Sequence, residues 1–295
     1  MESSYHQVRK PHQQAQENTM EGTAAQADFC FVHFTDTHIM AGGTLPNLDT
    51  SASLQRVIEV LTALEPRPAF AVIGGDLVSP DMLDRNRTLT QEEYEPSYHL
   101  WRDIVSPLQC PTYMLLGNHD HRRAFHHVMQ TSVSSLDMPH HYSFDYQGYH
   151  FVALDTQQSG QAWGHLDAAQ LVWLRDDLAA HRGQPTVVFM HHHPWPLGLA
   201  WIDAVNLRNG EELVGVLRQY PDVRWMICGH VHLDQEVQRQ GLTMLTTPAT
   251  CFQVSKVSQT FKTLPGPPGF RLVQIKGGEF STRVLHLHGD GLAAL

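Results

Sequence analysis

Apolar and polar positions alternate with two different periods along most of this chain. Short runs rich in β-branched and aromatic residues predict strands, and stretches with an apolar residue at every third or fourth position predict helices. The predicted strands cover residues 29–34, 69–74, 112–116, 186–190 and 223–227. The predicted helices cover residues 51–64, 91–105, 167–181 and 207–219. Strands that alternate with helices in this way are typical of an α/β protein, in which helices cover a parallel sheet.

The middle and the end of the chain are predicted to form further strands that do not alternate with helices. The segments 140–146 and 149–155 flank Gln147 and Gly148, and this pair predicts the turn of a β-hairpin. The remainder, up to about residue 287, is predicted to form short strands and turns, so a second sheet is expected beside the first. We expect one ordered domain over residues 28–288, a disordered tail over residues 1–27 and a C-terminal tail over residues 289–295.

Composition excludes several classes of protein. Apolar residues make up 42% of the 295 positions, enough for a sizeable core. No run approaches 18 apolar residues, and residues 1–27 contain no apolar segment, so we expect neither a membrane-spanning helix nor a secretory signal. The four cysteines lie far apart without a C-x-x-C pair, which argues against a disulfide scaffold and favours the reducing cytoplasm. The net charge of −10 argues against a polymeric nucleic acid as partner, because such proteins normally present a basic surface.

Polar residues follow five of the predicted strands, at the point where each strand ends. The segments are Asp36-Thr37-His38, Gly75-Asp76, Gly117-Asn118-His119-Asp120, His191-His192-His193 and Gly229-His230-Val231-His232. Because ligands bind at the carboxyl ends of strands in open α/β sheets, we expect these segments to converge in one crevice. The spacing of D-x-H and H-x-H also places both side chains on the same side of an extended segment.

The mixture of donor atoms points to metal chemistry. Carboxylate and amide oxygens together with imidazole nitrogens favour iron, manganese, zinc or cobalt over calcium or magnesium alone. Seven candidate ligands are too many for one tetrahedral ion, but they suit two ions about 3.5–4 Å apart that share a carboxylate. Two such ions can activate a water and neutralise the oxygens of a phosphoester. Each segment alone is commonplace at a strand end, whereas all five in order predict a dinuclear metal site.

These segments, in this order, resemble the calcineurin-like metallophosphoesterase superfamily, and the resemblance covers about residues 28–288. It implies a four-layer αββα sandwich, in which two mixed sheets are flanked by helices and the site lies at the strand carboxyl ends. Within the superfamily, further segments resemble the bacterial class III 3′,5′-cyclic-AMP phosphodiesterases. These segments are residues 191–196, 201–203, 207–209, 228–232 and 247–251.

The resemblance also implies a role for individual residues. One cation would be held by Asp36, His38, Asp76 and His232. The other would be held by Asp76, Asn118, His191 and His230, so Asp76 would bridge the two. His192 is the alternative to His191. His119 would be the catalytic acid that faces the phosphate. The residues expected to contact the substrate are His38, Asp76, Asn118, His119 and His232.

Other residues near the predicted strand ends have alternative roles. Many relatives carry an acidic residue three or four positions after the bridging aspartate, but Asp81 lies five positions after Asp76, which argues against Asp81 orienting His119. Asp155 either orients a ligand histidine or pairs locally at its strand end. A tryptophan near the site either stacks on adenine or packs in the core. The candidates are Trp163, Trp195 and Trp201.

The leading function is hydrolysis of 3′,5′-cyclic AMP to 5′-AMP by a hydroxide that the two cations activate. One alternative keeps the chemistry but takes glycerophosphodiesters or 2′,3′-cyclic nucleotides. A nuclease is disfavoured by the acidic balance, and a non-catalytic metal-binding scaffold is disfavoured because every expected ligand is present. The predicted partner is a small cyclic nucleotide, with no membrane and no polymeric nucleic acid. The sequence leaves a monomer and a homodimer equally open.

Overall fold

The strands form two six-stranded mixed sheets and a two-stranded ribbon within the described residues. The structure is a computed structural model that describes residues 28–44, 48–264, 266–288 and 291–293, so the predicted tail 1–27 lies outside it. The strands are β1 (Phe29–Phe34), β2 (Ala71–Ile73), β3 (Thr112–Met114), β4 (Tyr142–Tyr146), β5 (Tyr149–Ala153), β6 (Thr186–Met190), β7 (Val223–Cys228), β8 (Gln235–Arg239), β9 (Leu242–Thr246), β10 (Gln253–Val254), β11 (Thr263–Leu264), β12 (Gly269–Lys276), β13 (Glu279–His288) and β14 (Gly291–Ala293). The helices are α1 (Thr50–Ala63), α2 (Gln91–Val105), α3 (Arg122–Met129), α4 (Ala168–Ala180), α5 (Ala200–Asp203) and α6 (Gly210–Leu217).

The first sheet combines a parallel half with an antiparallel half. Its strand order is β14-β13-β12-β1-β2-β3, with β1, β2 and β3 parallel and β12 antiparallel to β1. The second sheet has the order β4-β5-β6-β7-β9-β8, with β5, β6, β7 and β9 parallel and the outer strands antiparallel. Both sheets are therefore mixed, as the resemblance implies.

Period-two alternation explains why the sheets pack face to face. In β1, Val32 and Phe34 point to the side covered by α1, α2 and α3, whereas Phe31 points to the second sheet. Phe31 packs there against Phe151 and Phe189, with ring centroids 5.6 and 6.0 Å away. The outer face of the second sheet packs against α4 and α6. The layers are thus helix, sheet, sheet and helix, and the predicted αββα sandwich is confirmed.

The predicted elements agree best with the structure where the strands are buried on both faces. The bounds of β1, α2 and β6 match those predicted, and β4 and β5 form the predicted hairpin. The end of the chain is not made of short strands only, because β12 and β13 have eight and ten residues. Within the segment predicted to be a C-terminal tail, β14 pairs with β13. No helix in the described ranges combines the length and apolarity needed to cross a bilayer.

Candidate metal centre

The carboxyl ends of five strands from both sheets deliver polar side chains to one place. Asp36 and His38 follow β1, Asp76 follows β2, and Asn118 and His119 follow β3. The second sheet contributes three further candidate ligands, which follow β6 and β7. They are His191, His230 and His232. All of the sequence-predicted ligands thus lie at the same edge of the sandwich, where the two sheets face each other.

One group of donor atoms surrounds the space between Asp36 and Asp76. The His232 Nε2 lies 3.2 Å from Asp36 Oδ1, and the His38 Nε2 lies 3.7 Å from Asp76 Oδ2. The two Nε2 atoms of His38 and His232 are 3.3 Å apart. Both rings are buried. Four donors at these separations could surround a single cation.

A second group lies on the other side of Asp76. The His191 Nε2 is 3.4 Å from Asp76 Oδ2. Donor atoms of His191, His192 and His230 all lie within 4.8 Å of one another. The structure therefore brings His192, the alternative to His191, into the same group rather than excluding it. His193 is farther from the centre, and its Nε2 lies 3.6 Å from an oxygen of Asp203.

Hydrogen bonds from the surrounding chain fix the orientation of three histidine rings. The Nδ1 of His38 pairs with the Ser79 hydroxyl at 2.5 Å. The Nδ1 of His191 donates to the Gly74 carbonyl at 2.8 Å, and that of His232 donates to the Phe252 carbonyl at 2.9 Å. Such bonds to one ring nitrogen direct the other nitrogen at a metal ion. Here Nε2 is the nitrogen directed at the centre.

The donor set fits cations because several of its buried atoms have no partner. The Asn118 Oδ1, His191 Nε2 and His192 Nε2 are buried without a hydrogen bond to any described residue. Buried polar atoms are nearly always hydrogen-bonded, so three atoms without a hydrogen-bond partner in one cluster indicate that a ligand binds there. Carboxylate oxygens with imidazole nitrogens suit first-row transition metals.

The charges of the centre shift the pKa values of its histidines in opposite directions. Burial lowers the pKa of His38 to about 3, against the attraction of Asp76. Burial also opposes the charged form of His191, but the negative charge of Asp76, whose Oδ2 lies 3.4 Å from the His191 Nε2, raises the pKa of His191 to about 9. Asp76 is therefore the strongest source of negative potential for His191.

The backbone at the centre adopts an uncommon conformation. Positive φ angles occur at Asp36 (55°), His38 (46°), Asp76 (48°), His230 (67°) and His232 (55°). Few residues other than glycine adopt this left-handed region, and such strain concentrates at functional sites. Gly117 shows how tightly the turns pack, because a Cβ at this position would overlap Asp76 Oδ1. The glycines next to the ligands thus allow the strand ends to approach one another.

His119 contacts an acidic residue that the sequence argued against. Its Nδ1 lies 2.7 Å from Asp81 Oδ2, and its backbone N–H donates to Asp76 Oδ1 at 2.8 Å. Burial opposes the charged form, but Asp76 and the Asp81 hydrogen bond raise the pKa of His119 above its ordinary value. The inference that Asp81 does not orient His119 was wrong. The chain folds into a 3₁₀ turn at Pro80–Met82, which returns Asp81 to His119 despite the longer spacing.

Asp120 is a buried residue of the centre whose role the sequence analysis did not recognise. Its carboxylate accepts the N–H of Gly117 at 2.8 Å, the N–H of Leu77 at 3.2 Å and the hydroxyl of Tyr98 at 2.9 Å. Burial and the charge of Asp76 raise the pKa of Asp120 to about 7. Because Leu77 follows Asp76 and Gly117 precedes Asn118, Asp120 ties together two loops that carry candidate ligands. Its place in G-N-H-D was the available signal.

The structure decides between the two alternatives for Asp155. The Asp155 Oδ2 lies 3.0 Å from Arg122 Nη2 and accepts the backbone N–H of His140 at 2.7 Å. No bond to a candidate ligand histidine is formed among the described residues. Asp155 therefore pairs locally, at the end of its strand.

A cavity of about 410 Å³ opens above the centre. All five residues expected to contact the substrate line it. They are His38, Asp76, Asn118, His119 and His232. Trp201, Phe252 and Phe261 form an apolar part of the wall, whereas Trp195 is fully buried in the core. The centre is thus accessible to a small molecule, and one part of the cavity wall offers a flat apolar surface.

Comparison with known proteins agrees with this architecture. Residues 30–234 match the calcineurin-like phosphoesterase family. A 3′,5′-cyclic adenosine monophosphate phosphodiesterase CpdA of Pseudomonas aeruginosa is 31% identical over 270 residues, which cover 91% of this chain and 89% of that protein. A glycerophosphodiester phosphodiesterase GpdQ of Enterobacter lignolyticus is 29% identical over 227 residues, covering 75% and 77%.

A solved structure supports the fold. A dimetal phosphatase from Danio rerio superposes with a TM-score of 0.63 at 16% identity, covering 88% of this chain and 99% of that one. The family match spans well over half of the chain and contains every candidate ligand between Asp36 and His232. The chain therefore belongs to the calcineurin-like phosphoesterase family.

Proposed function

We propose that this phosphoesterase hydrolyses 3′,5′-cyclic AMP to 5′-AMP. The observation that carries the proposal is the cavity, which combines a floor of candidate metal ligands with an aromatic wall. A cyclic nucleotide offers a matching shape, with an anionic phosphodiester at one end and a flat purine at the other. The similarity to the cyclic-AMP phosphodiesterase of Pseudomonas aeruginosa supports the same substrate class.

The proposal assigns two cations to the centre, with iron and manganese favoured over zinc and cobalt. The first would be held by Asp36, His38, Asp76 and His232, whose donor atoms lie closest to one another. The second would be held by Asp76, Asn118, His191 and His230, with His192 as an alternative ligand. Two bound cations would lower the pKa of a water towards about 7 and neutralise charge on the phosphoryl oxygens.

His119 is the group proposed to protonate the leaving oxygen. Its Nδ1 is engaged by Asp81, so Nε2 is the ring nitrogen available to the substrate. In the proposed reaction the oxygen of a water bonds to phosphorus as the P–O3′ bond breaks, and His119 transfers a proton to O3′. The proton that the water releases passes to the solvent, from which His119 is protonated again. Asp81 is proposed as a positioning residue, because its carboxylate lies 2.7 Å from His119 Nδ1 and holds the ring in place.

Trp201 and Phe261 are proposed to contact the adenine ring. Their centroids lie 5.3 Å apart in an edge-to-face arrangement at the mouth of the cavity. Phe252 packs on His232 with centroids 4.5 Å apart and closes the wall between the base and the centre.

A second candidate function keeps the reaction but changes the substrate. The glycerophosphodiester phosphodiesterase of Enterobacter lignolyticus is nearly as similar to this chain as the cyclic-AMP phosphodiesterase. A glycerophosphodiester has no flat ring, so it would leave the aromatic wall unused. Substitution of Trp201 therefore separates the two candidates.

The test compares four substrates on one preparation of known metal content. They are 3′,5′-cyclic AMP, 3′,5′-cyclic GMP, 2′,3′-cyclic AMP and glycerophosphocholine. We expect kcat/KM for 3′,5′-cyclic AMP to exceed that for the other three by about tenfold, which corresponds to 1.4 kcal/mol. Equal kcat/KM values for the four substrates would contradict specificity for 3′,5′-cyclic AMP and would indicate a general phosphodiesterase.

Variants sharpen this comparison. Asp76→Asn should remove turnover and metal together, whereas Asp103→Asn, a matched change at a side chain that is 75% exposed, should remove neither. Trp201→Leu should raise KM for 3′,5′-cyclic AMP about tenfold, because base stacking is worth about 1–3 kcal/mol, and should leave KM for glycerophosphocholine, which has no flat ring, unaffected. An unchanged KM for 3′,5′-cyclic AMP would contradict the proposed base contact.

A further inference from the structure

A buried hydroxyl group lies against one of the candidate metal ligands. It belongs to Thr35, which stands between the last residue of β1 and Asp36. The side chain of Thr35 is fully buried, and it is not among the described residues that line the cavity above the centre. Thr35 is therefore not placed to contact a substrate, and any effect on the centre must act through its neighbours.

The two carboxylate oxygens of Asp36 have different surroundings. The Thr35 hydroxyl donates to Asp36 Oδ2 at 2.7 Å, and the backbone N–H of His230 donates to the same oxygen at 3.0 Å. The other oxygen, Oδ1, lies 3.2 Å from His232 Nε2 and 3.9 Å from His38 Nε2. The backbone N of His230 is also 3.2 Å from Oδ1. Oδ2 is thus engaged by two donors of the protein, whereas Oδ1 faces the histidines.

Two other segments of the chain fix the position of the Thr35 hydroxyl. The backbone N–H of Thr250 donates to the Thr35 carbonyl at 3.1 Å, which holds the backbone of this residue in place. Gly229 packs directly against the hydroxyl, because a Cβ atom at position 229 would overlap Thr35 Oγ1. The glycine that precedes His230 therefore makes room for a donor to Asp36.

We propose that Thr35 is a positioning residue, which leaves Asp36 to bind the first cation through Oδ1 alone. A carboxylate oxygen has two lone pairs, and the two donors on Oδ2 use both. Hydrogen bonds to a charged oxygen are short and strong, so a cation would have to displace one of them to reach Oδ2. The proposal rests on the two cations of the proposed function, and it is independent of which phosphodiester is the substrate.

Loss of the hydroxyl would free one lone pair of Asp36 Oδ2 in a buried place. The carboxylate could then rotate or bind through both oxygens, and the first cation would lose its defined ligand geometry. Groups that orient a metal ligand typically contribute about 10–100-fold to metal affinity. Within the described residues, the Thr35 hydroxyl forms its hydrogen bond to Asp36 and to none of the ligands proposed for the second cation, so that cation should be affected much less.

The competing explanation is that the hydroxyl stabilises the fold and has no particular relation to metal. Its hydrogen bond to Asp36 would then contribute to the free energy of unfolding of the metal-free protein, as any buried hydrogen bond does. Removal of the hydroxyl would leave the affinities for both cations unchanged or lower the two equally. The two explanations therefore differ in whether one cation is weakened selectively.

The test titrates the metal-free full chain with manganese and measures the number and the dissociation constants of the bound ions by calorimetry. The variants are Thr35→Val, which replaces the hydroxyl by a methyl group, and Thr35→Ser, which keeps the hydroxyl. The matched control is Thr186→Val, because Thr186 is also buried and its hydroxyl donates to the Gln184 carbonyl at 3.0 Å, at the start of β6. Anomalous diffraction at the manganese edge, from crystals grown at limiting manganese, identifies the position that is depleted.

We expect wild type, Thr35→Ser and Thr186→Val to bind two manganese ions with similar dissociation constants. Thr35→Val should bind one ion as wild type does and the other about 10–100-fold more weakly. The depleted position should lie between Asp36 and His232. Unchanged affinities in Thr35→Val, equal weakening of both ions, or an equal loss in Thr35→Ser would overturn the proposal.

Two further outcomes are also decisive. If Thr35→Val does not fold, Thr35→Ala is compared with Thr35→Ser, because these two variants differ only in the hydroxyl oxygen. A wild type that bound a single manganese ion, at Asp36, would contradict the two-cation centre of the proposed function. The same weakening of that ion in Thr35→Val would still support the role of Thr35, and an unchanged affinity would overturn it.

Discussion

The hydroxyl of Tyr98 offers a sharp test of how the loops of the candidate metal centre are held. Tyr98 is fully buried in α2, and its hydroxyl donates to Asp120 Oδ1 at 2.9 Å. The same hydroxyl accepts the backbone N–H of His121 at 3.0 Å. Tyr98→Phe removes one oxygen atom and leaves the ring in place, so it isolates these two hydrogen bonds from packing.

The magnitude follows from the partners that the change leaves behind. The assay is run at pH 8, where Asp120 is mostly ionised because its pKa is about 7. A hydrogen bond to a charged group contributes about 1.5–3 kcal/mol, and a backbone N–H left without an acceptor in the protein costs about 1–3 kcal/mol. His121 is half-buried, so the second contribution falls at the low end of its range. We expect Tyr98→Phe to lower the free energy of unfolding by about 3 kcal/mol, roughly a hundredfold in the unfolding equilibrium.

Urea denaturation of the metal-free protein is the direct assay. The control is Tyr146→Phe, because the Tyr146 hydroxyl forms no hydrogen bond to any residue in the described part of the chain, while its ring packs on Phe29 with centroids 5.0 Å apart. The control should change the free energy of unfolding by less than about 0.5 kcal/mol. If Tyr98→Phe unfolded at the same urea concentration as Tyr146→Phe, the reasoning about the Tyr98 hydroxyl would be refuted.

Further predictions concern catalysis, packing and metal. His119→Ala should retain its cations and lose about 10²- to 10⁴-fold in kcat for 3′,5′-cyclic AMP, and full turnover with unchanged metal content would contradict the acid role. Asp81→Asn should lower the same kcat by a smaller factor while KM stays constant; a loss as large as that of His119→Ala would mean that Asp81 does more than position the ring. Phe31→Ala removes a fully buried ring between the sheets and should lower the free energy of unfolding by about 3–5 kcal/mol, with a loss below 1 kcal/mol in urea denaturation counting against the packing described here. Chelation should abolish turnover and added manganese should restore it, and a metal-depleted protein that still turned over substrate would exclude the proposed chemistry.

Uniform burial explains why the bounds of β6 could be predicted from the sequence. The residues of β6 are all buried, so its apolar run has the length of the strand itself. By contrast, β13 alternates exposed and partly buried residues over its first half. Its polar side chains gave no apolar run from which a strand of ten residues could be predicted. The eight-residue helix α3 is too short to establish a period and buries only Ala124, Phe125, His126 and Val128.

The convergence of the candidate ligands could be predicted from the sequence for a different reason. Strand ends in a parallel sheet meet at one edge whatever the loops do, so the positions after β1, β2, β3, β6 and β7 could be assigned to one site before any distance was known. Contacts that depend on the shape of a loop could not be predicted by this argument. Asp81 reaches His119 through a 3₁₀ turn, and the sequence spacing gave no sign of it.

The left-handed backbone at Asp36, Asp76 and His230 has a consequence for engineering this chain. Glycine adopts a left-handed backbone without strain. A screen that selects only for thermal stability would therefore accept glycine at these positions and enrich proteins that fold well but have lost candidate metal ligands. A selection for thermal stability must therefore measure the bound metal content as well as the unfolding temperature. Improvements should come from positions far from the strand ends, where robustness and turnover do not compete.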